Sequence, residues 1–152
     1  YQDMGLKIKK ISKSSYEFNC KALKPIKKIS TKEFPGYPTD LQAQLIATQI
    51  KSALKSKVVE NIFENRFIHI PELRRFGANL SIIGKTVTIH KTLNLFGAEV
   101  MATDIRASFS LIIAAMISKG TTVINRIYHL DRGYEDFDLK LKKCGVNISR
   151  KK

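Results

Sequence analysis

The chain has 152 residues, 43% of them hydrophobic, and a formal net charge of +14. This length is typical of one domain with a substantial hydrophobic core. No apolar run approaches the roughly 18 residues that cross a bilayer, and no signal peptide or lipidation motif is present. We therefore expect a cytoplasmic protein with no membrane partner. Because the chain begins with Tyr1 instead of methionine, we also expect it to be a piece of a longer protein.

The positive charge comes mainly from lysines, and half of it lies early in the chain. Residues 1–32 hold nine lysines against two acids, Asp3 and Glu17, which gives +7. A nucleic-acid-binding protein would use such charge to displace counterions from phosphates. The lysines are spread along alternating apolar stretches, however, and no RNP-type aromatic motif, zinc knuckle or helix-turn-helix accompanies them. An anionic small substrate fits the charge equally well, and we expect no nucleic-acid partner.

The cysteines and histidines do not predict a metal site. Cys20 and Cys144 lie far apart, and His69, His90 and His129 show no metal-ligand spacing. We expect free, reduced thiols and ordinary core or surface histidines.

Apolar periodicity and turn residues predict alternating strands and helices in the first part of the chain. Pro71 stands in the first turn of a short helix that Gly77 ends, and Gly84 occupies the turn of a hairpin. In chain order, the predicted elements are strands at 5–12, 16–20 and 26–31, a helix at 41–54, a strand at 57–63, a helix at 70–77 and a hairpin at 78–90.

The order of elements begins again after residue 96. Gly120 and Gly145 each close a predicted helix, and the apolar run at 109–117 predicts a buried helix face. The predicted elements are a helix at 103–120, a strand at 121–130, a helix at 133–145 and a strand at 146–151.

The restart is an internal repeat, because residues match at offsets that grow slowly from 64 to 68. A unit of this length is too long for a helical solenoid; it predicts a βαβαββ unit used more than once, and hence the α/β class. We divide one partial domain, 1–152, into the end of one unit (1–32), a second unit (33–96) and an incomplete third unit (97–152). The matching residues are Thr39-Asp40 with Thr103-Asp104, Ile62-Phe63 with Ile127-Tyr128, Arg66 with Arg132, and 77–79 with 145–147.

Conspicuous polar residues of both copies lie where the chain enters a helix. Asp40 and Asp104 each follow a threonine at a helix start, and Arg66 and Arg132 each stand between a strand and a helix. Functional residues of α/β proteins gather at such junctions, where free N–H groups and the helix dipole favour anions. These four side chains are therefore candidate site residues.

Each candidate also has a purely structural explanation. Thr39 and Gln42 form a T-x-x-Q capping box, and Asp40 in the first turn would complement the helix dipole. Asp104 has the same explanation. The two arginines have a different one, surface ion pairs with nearby acids, which are Glu64, Glu72 and Glu135.

Arg106 is harder to explain by structure alone. A guanidinium in the first turn of an apolar helix opposes the dipole, and the matching residue of the first copy is the neutral Gln42. Arg106 therefore predicts an anion or a carboxylate partner, and Asp104 could be that partner.

Four stretches resemble the enolpyruvyl transferases, and the resemblance runs from Gly5 to Lys151. It implies an inside-out α/β barrel, in which each of two domains is assembled from three βαβαββ units, incomplete in this chain. The stretches ENRFIHIPEL and HLDRGYE resemble the branch that acts on UDP-N-acetylglucosamine more than the branch that acts on shikimate 3-phosphate. The four stretches are FPGYPTDLQAQ, IFENRFIHIPELRRFGA, GAEVMATDIRASFSL and TTVINRIYHLDRGYE.

The resemblance implies a transferase that moves the enolpyruvyl group of phosphoenolpyruvate to the 3-hydroxyl of UDP-N-acetylglucosamine and releases phosphate. This is the first committed step of peptidoglycan synthesis, and it implies no metal and no organic cofactor. The implied roles are Asp40 as the acceptor of the sugar hydroxyl proton, Ile62 as a contact of the nucleotide sugar, Arg66 as an active-site arginine, Asp104 and Arg106 as lining of the phosphoenolpyruvate site, and Arg132 as a ligand of its carboxylate or phosphate.

Two parts of the family pattern are not found in this sequence. A loop cysteine that helps to protonate phosphoenolpyruvate and a Lys-Asn pair belong to earlier parts of the family's sequences, and neither Cys20 nor Cys144 matches that cysteine. We therefore expect a C-terminal portion that is inactive alone and whose partner is the rest of the same enzyme. The alternatives are a shikimate-pathway relative, a basic nucleic-acid-binding module and a non-catalytic remnant.

Overall fold

Short strands and helices alternate along the chain, as the α/β prediction requires. The computed structural model describes residues 1–52 and 54–151, and none of the helices in these two ranges is long and apolar enough to cross a membrane. The elements are β1 (Lys7–Lys10), β2 (Tyr16–Asn19), β3 (Lys28–Ser30), a 3-10 turn (Thr39–Leu41), α1 (Gln42–Gln49), β4 (Ser56–Val59), α2 (His69–Arg75), β5 (Leu80–Ile83), β6 (Thr86–Ile89), β7 (Glu99–Met101), α3 (Ile105–Ile117), β8 (Val123–Asn125), α4 (Tyr128–Asp131) and α5 (Phe137–Lys143).

The strands form three sheets whose order follows the predicted repeat. β1 and β2 pair as an antiparallel hairpin, and β7 and β8 pair in parallel. The middle sheet has the order β3-β4-β6-β5, with β3 parallel to β4 and the other neighbours antiparallel. The sequence β3-α1-β4-α2-β5-β6 is the predicted βαβαββ unit. β3 precedes residue 33, and the division of the chain at 32/33 stays a prediction.

Several predicted elements have different bounds in the structure. The helix predicted at 41–54 becomes a 3-10 turn followed by α1, which ends at Gln49; its residue 53 lies outside the described residues. The strand predicted at 57–63 ends at Val59. The next residue, Glu60, accepts a hydrogen bond from the Ile62 N–H through its own side chain, and a loop begins there.

The third unit departs further from the prediction. The strand predicted at 121–130 ends at Asn125, because Arg126 adopts a left-handed φ of 59° that a strand does not accommodate, and residues 128–131 form α4. The strand predicted at 146–151 is wrong, since these residues form no ladder with a neighbour. β7 was not predicted, because three residues are too few to show a period.

The main core lies between the middle sheet and three helices. α1 packs against α3, and α2 also contacts α3. The apolar run at 109–117 lies within α3, which buries Ala107, Leu111 and Ala114, so the predicted buried face is confirmed. A smaller cluster forms around Ile112, Leu130 and Phe137 and joins α3 to α4 and α5. α3 is therefore shared by both cores and fixes the third unit to the second.

The predicted ends of two helices are confirmed at matching places. α2 and α5 are each followed two residues later by a glycine, Gly77 or Gly145, with a φ of +89°. Glycine takes this left-handed conformation without a steric penalty and ends the helix there.

The first residue of α2, His69, is buried, with 2% of its surface exposed. Burial disfavours the charged ring and lowers the pKa of His69 to about 4, against a smaller opposing effect of the Asp104 charge. The imidazole is therefore neutral in the folded protein at neutral pH.

His69 should make the fold less stable as the pH falls. Its folded pKa lies below its unfolded value of about 6.5, so the unfolded chain binds the proton first. The contribution of the neutral His69 ring to the free energy of unfolding is present above about pH 6.5. As the pH falls from about 7 to about 5, the free energy of unfolding decreases by about 2 kcal/mol. Urea unfolding at a series of pH values measures this slope.

The variant His69→Gln should flatten most of that slope, because glutamine does not titrate. The matched control His90→Gln should keep it, because His69 is still present. An unchanged slope in His69→Gln would show that another group is responsible.

Candidate active site

The packing of α1 against α3 brings together residues that lie far apart in the sequence. Asp40 stands in the 3-10 turn before α1, and Arg106 stands in the first turn of α3. Nε of Arg106 donates to Oδ1 of Asp40 at 2.6 Å, and Nη2 of Arg66 donates to the same oxygen at 3.0 Å. One carboxylate thus joins an arginine from the second unit to an arginine from the third.

The second carboxylate oxygen of Asp40 has a different environment. Among the described residues, Oδ2 accepts no hydrogen bond from the protein, and the Asp40 side chain is 60% exposed. The two arginines therefore hold the carboxylate by one oxygen and leave the other open to a ligand.

The predicted partner of Arg106 is wrong in one respect. Arg106 pairs with a carboxylate, as expected, but the carboxylate is that of Asp40 and not of Asp104. Asp104 is the N-cap of α3, and its Oδ1 accepts from the N–H groups of Arg106 and Ala107 at 2.8 and 3.0 Å. A capping carboxylate turns back toward its own helix, and so it cannot reach out to the Arg106 guanidinium.

The predicted capping box at the start of α1 is also wrong. The Thr39 hydroxyl donates to Oε2 of Glu60 at 2.8 Å, and neither the 3-10 turn nor α1 has a side-chain cap. The Gln42 amide is buried instead of reaching back to the helix start. The reason is that Glu60 offers the Thr39 hydroxyl a charged acceptor, which forms a stronger hydrogen bond than a neutral one.

The loop between β4 and α2 supplies the other side of the site. Asn65 adopts a left-handed φ of 52°, and the next residue, Arg66, lies with its guanidinium 4.5 Å from the ring centroid of Phe63. Its ion pair is with Asp40 and not with Glu64 or Glu72, the acids that the sequence suggested.

These residues surround an open cavity of about 480 Å³. Ile62, which is 37% exposed, lies in the same loop directly before Phe63. The lining residues are Thr39, Asp40, Phe63, Glu64, Asn65, Arg66, Ile68 and Arg106.

Arg132 lies apart from this group. It lines a second cavity, of about 720 Å³, with Asp131 and Arg150 among its neighbours. Within ranges 1–52 and 54–151 it forms no ion pair, neither with Glu135 nor with another acid. The structure thus brings Asp40, Arg66 and Arg106 together, places Asp104 beside them as a cap, and leaves Arg132 separate. The implied role of Arg132 as a ligand of phosphoenolpyruvate stays a prediction.

Sequence reasoning missed one residue, Glu60. Its carboxylate is 1% exposed and accepts hydrogen bonds from residues on both sides of the cavity. The available signal was a lone acid directly after the apolar strand residues Val58 and Val59, where a buried charge needs partners.

The electrostatics of Asp40 follow from its two arginines. The hydrogen bond from Arg106 has the largest effect and holds the pKa of the Asp40 carboxyl below its usual range; the charges of Arg106 and Arg66 act in the same direction, and partial burial opposes them. Asp40 is therefore ionised at neutral pH. In the described part of the chain, no group of three or more His, Cys, Asp or Glu side chains is arranged to hold a metal ion.

Removal of Arg106 should raise the pKa of Asp40. In Arg106→Gln the carboxyl loses its shortest charged hydrogen bond, so its pKa should move up toward the ordinary value, and Arg66→Gln should produce a smaller rise. Carbon-detected NMR titration of the Asp40 carboxyl measures both. Arg75→Gln is the control, because Arg75 lies near Glu72 at 4.0 Å and not near Asp40. An unmoved pKa in Arg106→Gln would contradict the described pairing.

Comparisons with known proteins agree with this architecture. A family model described as EPSP synthase (3-phosphoshikimate 1-carboxyvinyltransferase) matches residues 1–141. A relative named UDP-N-acetylglucosamine 1-carboxyvinyltransferase from Rhodopseudomonas palustris (strain TIE-1) is 56% identical over 122 residues, which are 80% of this chain and 28% of the relative. A relative of the same name from Pelagibacter ubique (strain HTCC1062) is 51% identical over 143 residues, 93% of this chain and 34% of the relative.

Solved structures show the same fold. The enolpyruvyl transferase NikO from Streptomyces tendae superposes with a TM-score of 0.84 at 24% identity, over 97% of this chain and 34% of that chain. An EPSP synthase from Acinetobacter baumannii superposes with a TM-score of 0.71 at 14% identity, over 99% of this chain and 35% of that chain. The predicted α/β fold of the enolpyruvyl transferases is confirmed.

This chain spans about a third of the length of the curated relatives that it matches. The family model nevertheless covers nearly all of it, from residue 1 to residue 141. The chain belongs to the EPSP synthase family of enolpyruvyl (carboxyvinyl) transferases.

Proposed function

We propose that this chain carries part of an active site that transfers the enolpyruvyl group of phosphoenolpyruvate to the 3-hydroxyl of UDP-N-acetylglucosamine, in the cytoplasm and without a metal or organic cofactor. The relatives at 51% and 56% identity bear the name of that activity. The observation that carries the proposal is the geometry of Asp40, which lines an open cavity: two arginines hold its Oδ1, and its Oδ2 accepts no hydrogen bond from the described residues.

The proposed reaction uses this geometry directly. The methylene carbon of phosphoenolpyruvate gains a proton from a general acid, for which the family resemblance implies the loop cysteine of the earlier sequence, and cationic character is left on the neighbouring carbon. The sugar oxygen bonds to that carbon as its proton passes to Oδ2 of Asp40, which acts as general base. The conjugate base of that acid then takes a proton from the new methyl group, the C–O bond to phosphate breaks, and the double bond is restored. One enolpyruvyl group moves, and one phosphate is released.

The arginines have a proposed role as anion ligands. Guanidinium groups bind carboxylate and phosphate oxygens through paired N–H donors and stabilise charge on a leaving group. Arg106 is 43% exposed and Arg66 is 19% exposed at the side chain, so both have donors available to phosphoenolpyruvate. We propose that Arg132 joins them in holding its carboxylate or phosphate.

The ion pairs also set a condition on Asp40. A carboxylate with a lowered pKa is a weak base, and a general base works best when its pKa lies near the operating pH. Anionic groups of phosphoenolpyruvate would compete with Asp40 for Arg66 and Arg106. Their arrival would weaken the pairs and make Asp40 more basic when the sugar hydroxyl is present.

The remaining candidates have supporting roles in this proposal. Asp104 orients the first turn of α3, which carries Arg106, through its two capping hydrogen bonds. Ile62 offers an apolar contact to the nucleotide sugar beside the cavity. Transfer to shikimate 3-phosphate is the second candidate, because the matching family model bears that description.

Loss of the Asp40 charge should affect turnover much more than binding. In the full-length enzyme that contains this segment, Asp40→Asn and Asp40→Ala should lower kcat by about 10²- to 10⁴-fold, the usual contribution of a general base. The Kd for UDP-N-acetylglucosamine, measured by calorimetry, should change far less.

Glu72→Gln is the matched control for Asp40, since Glu72 also accepts a hydrogen bond, from the Met101 N–H at 2.8 Å, but lies outside the cavity. It should keep kcat within about twofold, because Glu72 lies outside the cavity that contains the general base. Full turnover in Asp40→Asn would mean that Asp40 is not the base.

The acceptor can be tested with the same full-length enzyme. Phosphate release should require UDP-N-acetylglucosamine and should not occur with shikimate 3-phosphate, and a chelator should leave the rate unchanged. The 152-residue chain alone should show no turnover, because it spans about a third of its relatives' length. Turnover with shikimate 3-phosphate would favour the second candidate.

A further inference from the structure

The Glu60 carboxylate is a buried charge that connects three segments of the chain. Glu60 is 1% exposed, follows β4 directly and has its own N–H bonded to the Lys85 carbonyl at 2.8 Å. An isolated buried carboxylate is very unfavourable unless hydrogen bonds or charges compensate for its lost hydration. Among the described residues Glu60 forms no ion pair, so its compensation comes from neutral donors.

Four donors surround this carboxylate. Oε1 accepts from the Thr31 hydroxyl at 2.8 Å and from the N–H groups of Ile62 and Phe63 at 2.9 and 3.2 Å. Oε2 accepts from the Thr39 hydroxyl at 2.8 Å. Burial alone would raise the pKa of Glu60, but the hydrogen bonds outweigh it and hold this pKa below its ordinary range. The charge is therefore a stable feature at neutral pH.

The donors belong to the segments that carry the site. Thr39 directly precedes Asp40, and Ile62 and Phe63 open the loop that leads to Arg66. Thr31 directly follows the adjacent strand β3, and its hydroxyl accepts from the Asn61 N–H at 2.8 Å, which fixes the same loop a second time. The segment that carries Asp40 and the loop that carries Arg66 are thus both hydrogen-bonded to the Glu60 carboxylate.

The third unit provides an internal comparison. The residue that follows β8 is Arg126, so no carboxylate takes the place of Glu60 there. The hydroxyl of Thr103, the counterpart of Thr39, is buried without a hydrogen-bond partner among the described residues. Among the described residues, a buried carboxylate bonded to the threonine that precedes the aspartate is thus found in the second unit and not in the third.

We propose that Glu60 is a positioning residue of the active site: its buried carboxylate ties Thr39 to the loop at 61–66, so that Asp40 and Arg66 meet in the geometry that turnover requires. This inference rests on the proposed function of Asp40. Glu60 itself does not touch the substrates, and it acts through the backbone of the two segments that it joins.

The test uses variants that remove single hydrogen bonds. Glu60→Gln replaces one acceptor oxygen with an NH2 group, and Thr39→Val removes one donor at nearly constant volume. Gln49→Met is the matched control, because Gln49 is a buried acceptor, with bonds from Ile26 N–H and the Ser56 hydroxyl, at the far end of α1. All three should lose stability, which denaturant unfolding measures.

Only the variants at the anchor should affect the site. In the full-length enzyme, Glu60→Gln and Thr39→Val should lower kcat about tenfold or more, since a misplacement of about 1 Å can cost about 10²-fold, with a smaller change in KM. Thr39→Ser keeps the hydroxyl and should recover most of the loss. Gln49→Met should keep kcat within about twofold at a comparable loss of stability.

A second measurement does not depend on turnover. NMR titration of the Asp40 carboxyl in the 152-residue chain should show its pKa rising in Glu60→Gln and Thr39→Val, because Asp40 is no longer held against its arginines, and staying in place in Gln49→Met. The proposal is overturned if both kcat and the Asp40 pKa in the anchor variants match the control. Normal turnover in Asp40→Asn, together with the expected pKa rises, would instead overturn the proposed function of Asp40 and retain the anchor.

Discussion

The packing of α1 against α3 is the constraint on which the site depends. Each helix belongs to a different repeat unit, and a Thr-Asp pair stands shortly before the start of each. Once the two helices lie side by side, the start of one faces the start of the other, and Arg106 meets Asp40 across the boundary between units. The site is therefore not a property of one unit. It arises because two copies of a similar element share a hydrophobic core, and a polar contact forms at the edge of that core.

The two Thr-Asp pairs show how similar sequences acquire different roles. Asp104 turns back and caps α3, while Asp40 turns outward and meets two guanidinium groups. The difference lies in the neighbourhood of the threonines. Thr39 donates to a buried carboxylate, and the turn before α1 is a 3-10 turn without a side-chain cap. Thr103 has no such acceptor in the described structure, and its aspartate takes the capping position.

Much of the architecture could be predicted from the sequence, because it depends on local patterns. The alternation of buried and exposed side chains in β4 and the apolar stripe of α3 follow from sequence periodicity. Matching residues at offsets near 65 predict the βαβαββ unit, which the strand order confirms. Contacts between units could not be predicted, because no local pattern specifies how α1 and α3 pack. The expectation that Arg106 needs an anion or a carboxylate partner is confirmed. The partner is Asp40 and not the neighbouring Asp104, because the pairing depends on the contact between units. Glu60 was missed for the same reason: its donors lie up to 29 residues away in the sequence.

The separation of Asp40 and Arg106 also has a consequence for folding. The two residues are 66 positions apart, so their contact closes a long loop, and loop closure costs more entropy as the loop lengthens. A weak, partly exposed ion pair cannot offset that cost by itself; the hydrophobic contact of α1 with α3 must form first or together with it. The geometry of the candidate site would then be among the last features to be completed, and an anionic ligand that bridges the starts of the two helices would favour the docked state by mass action.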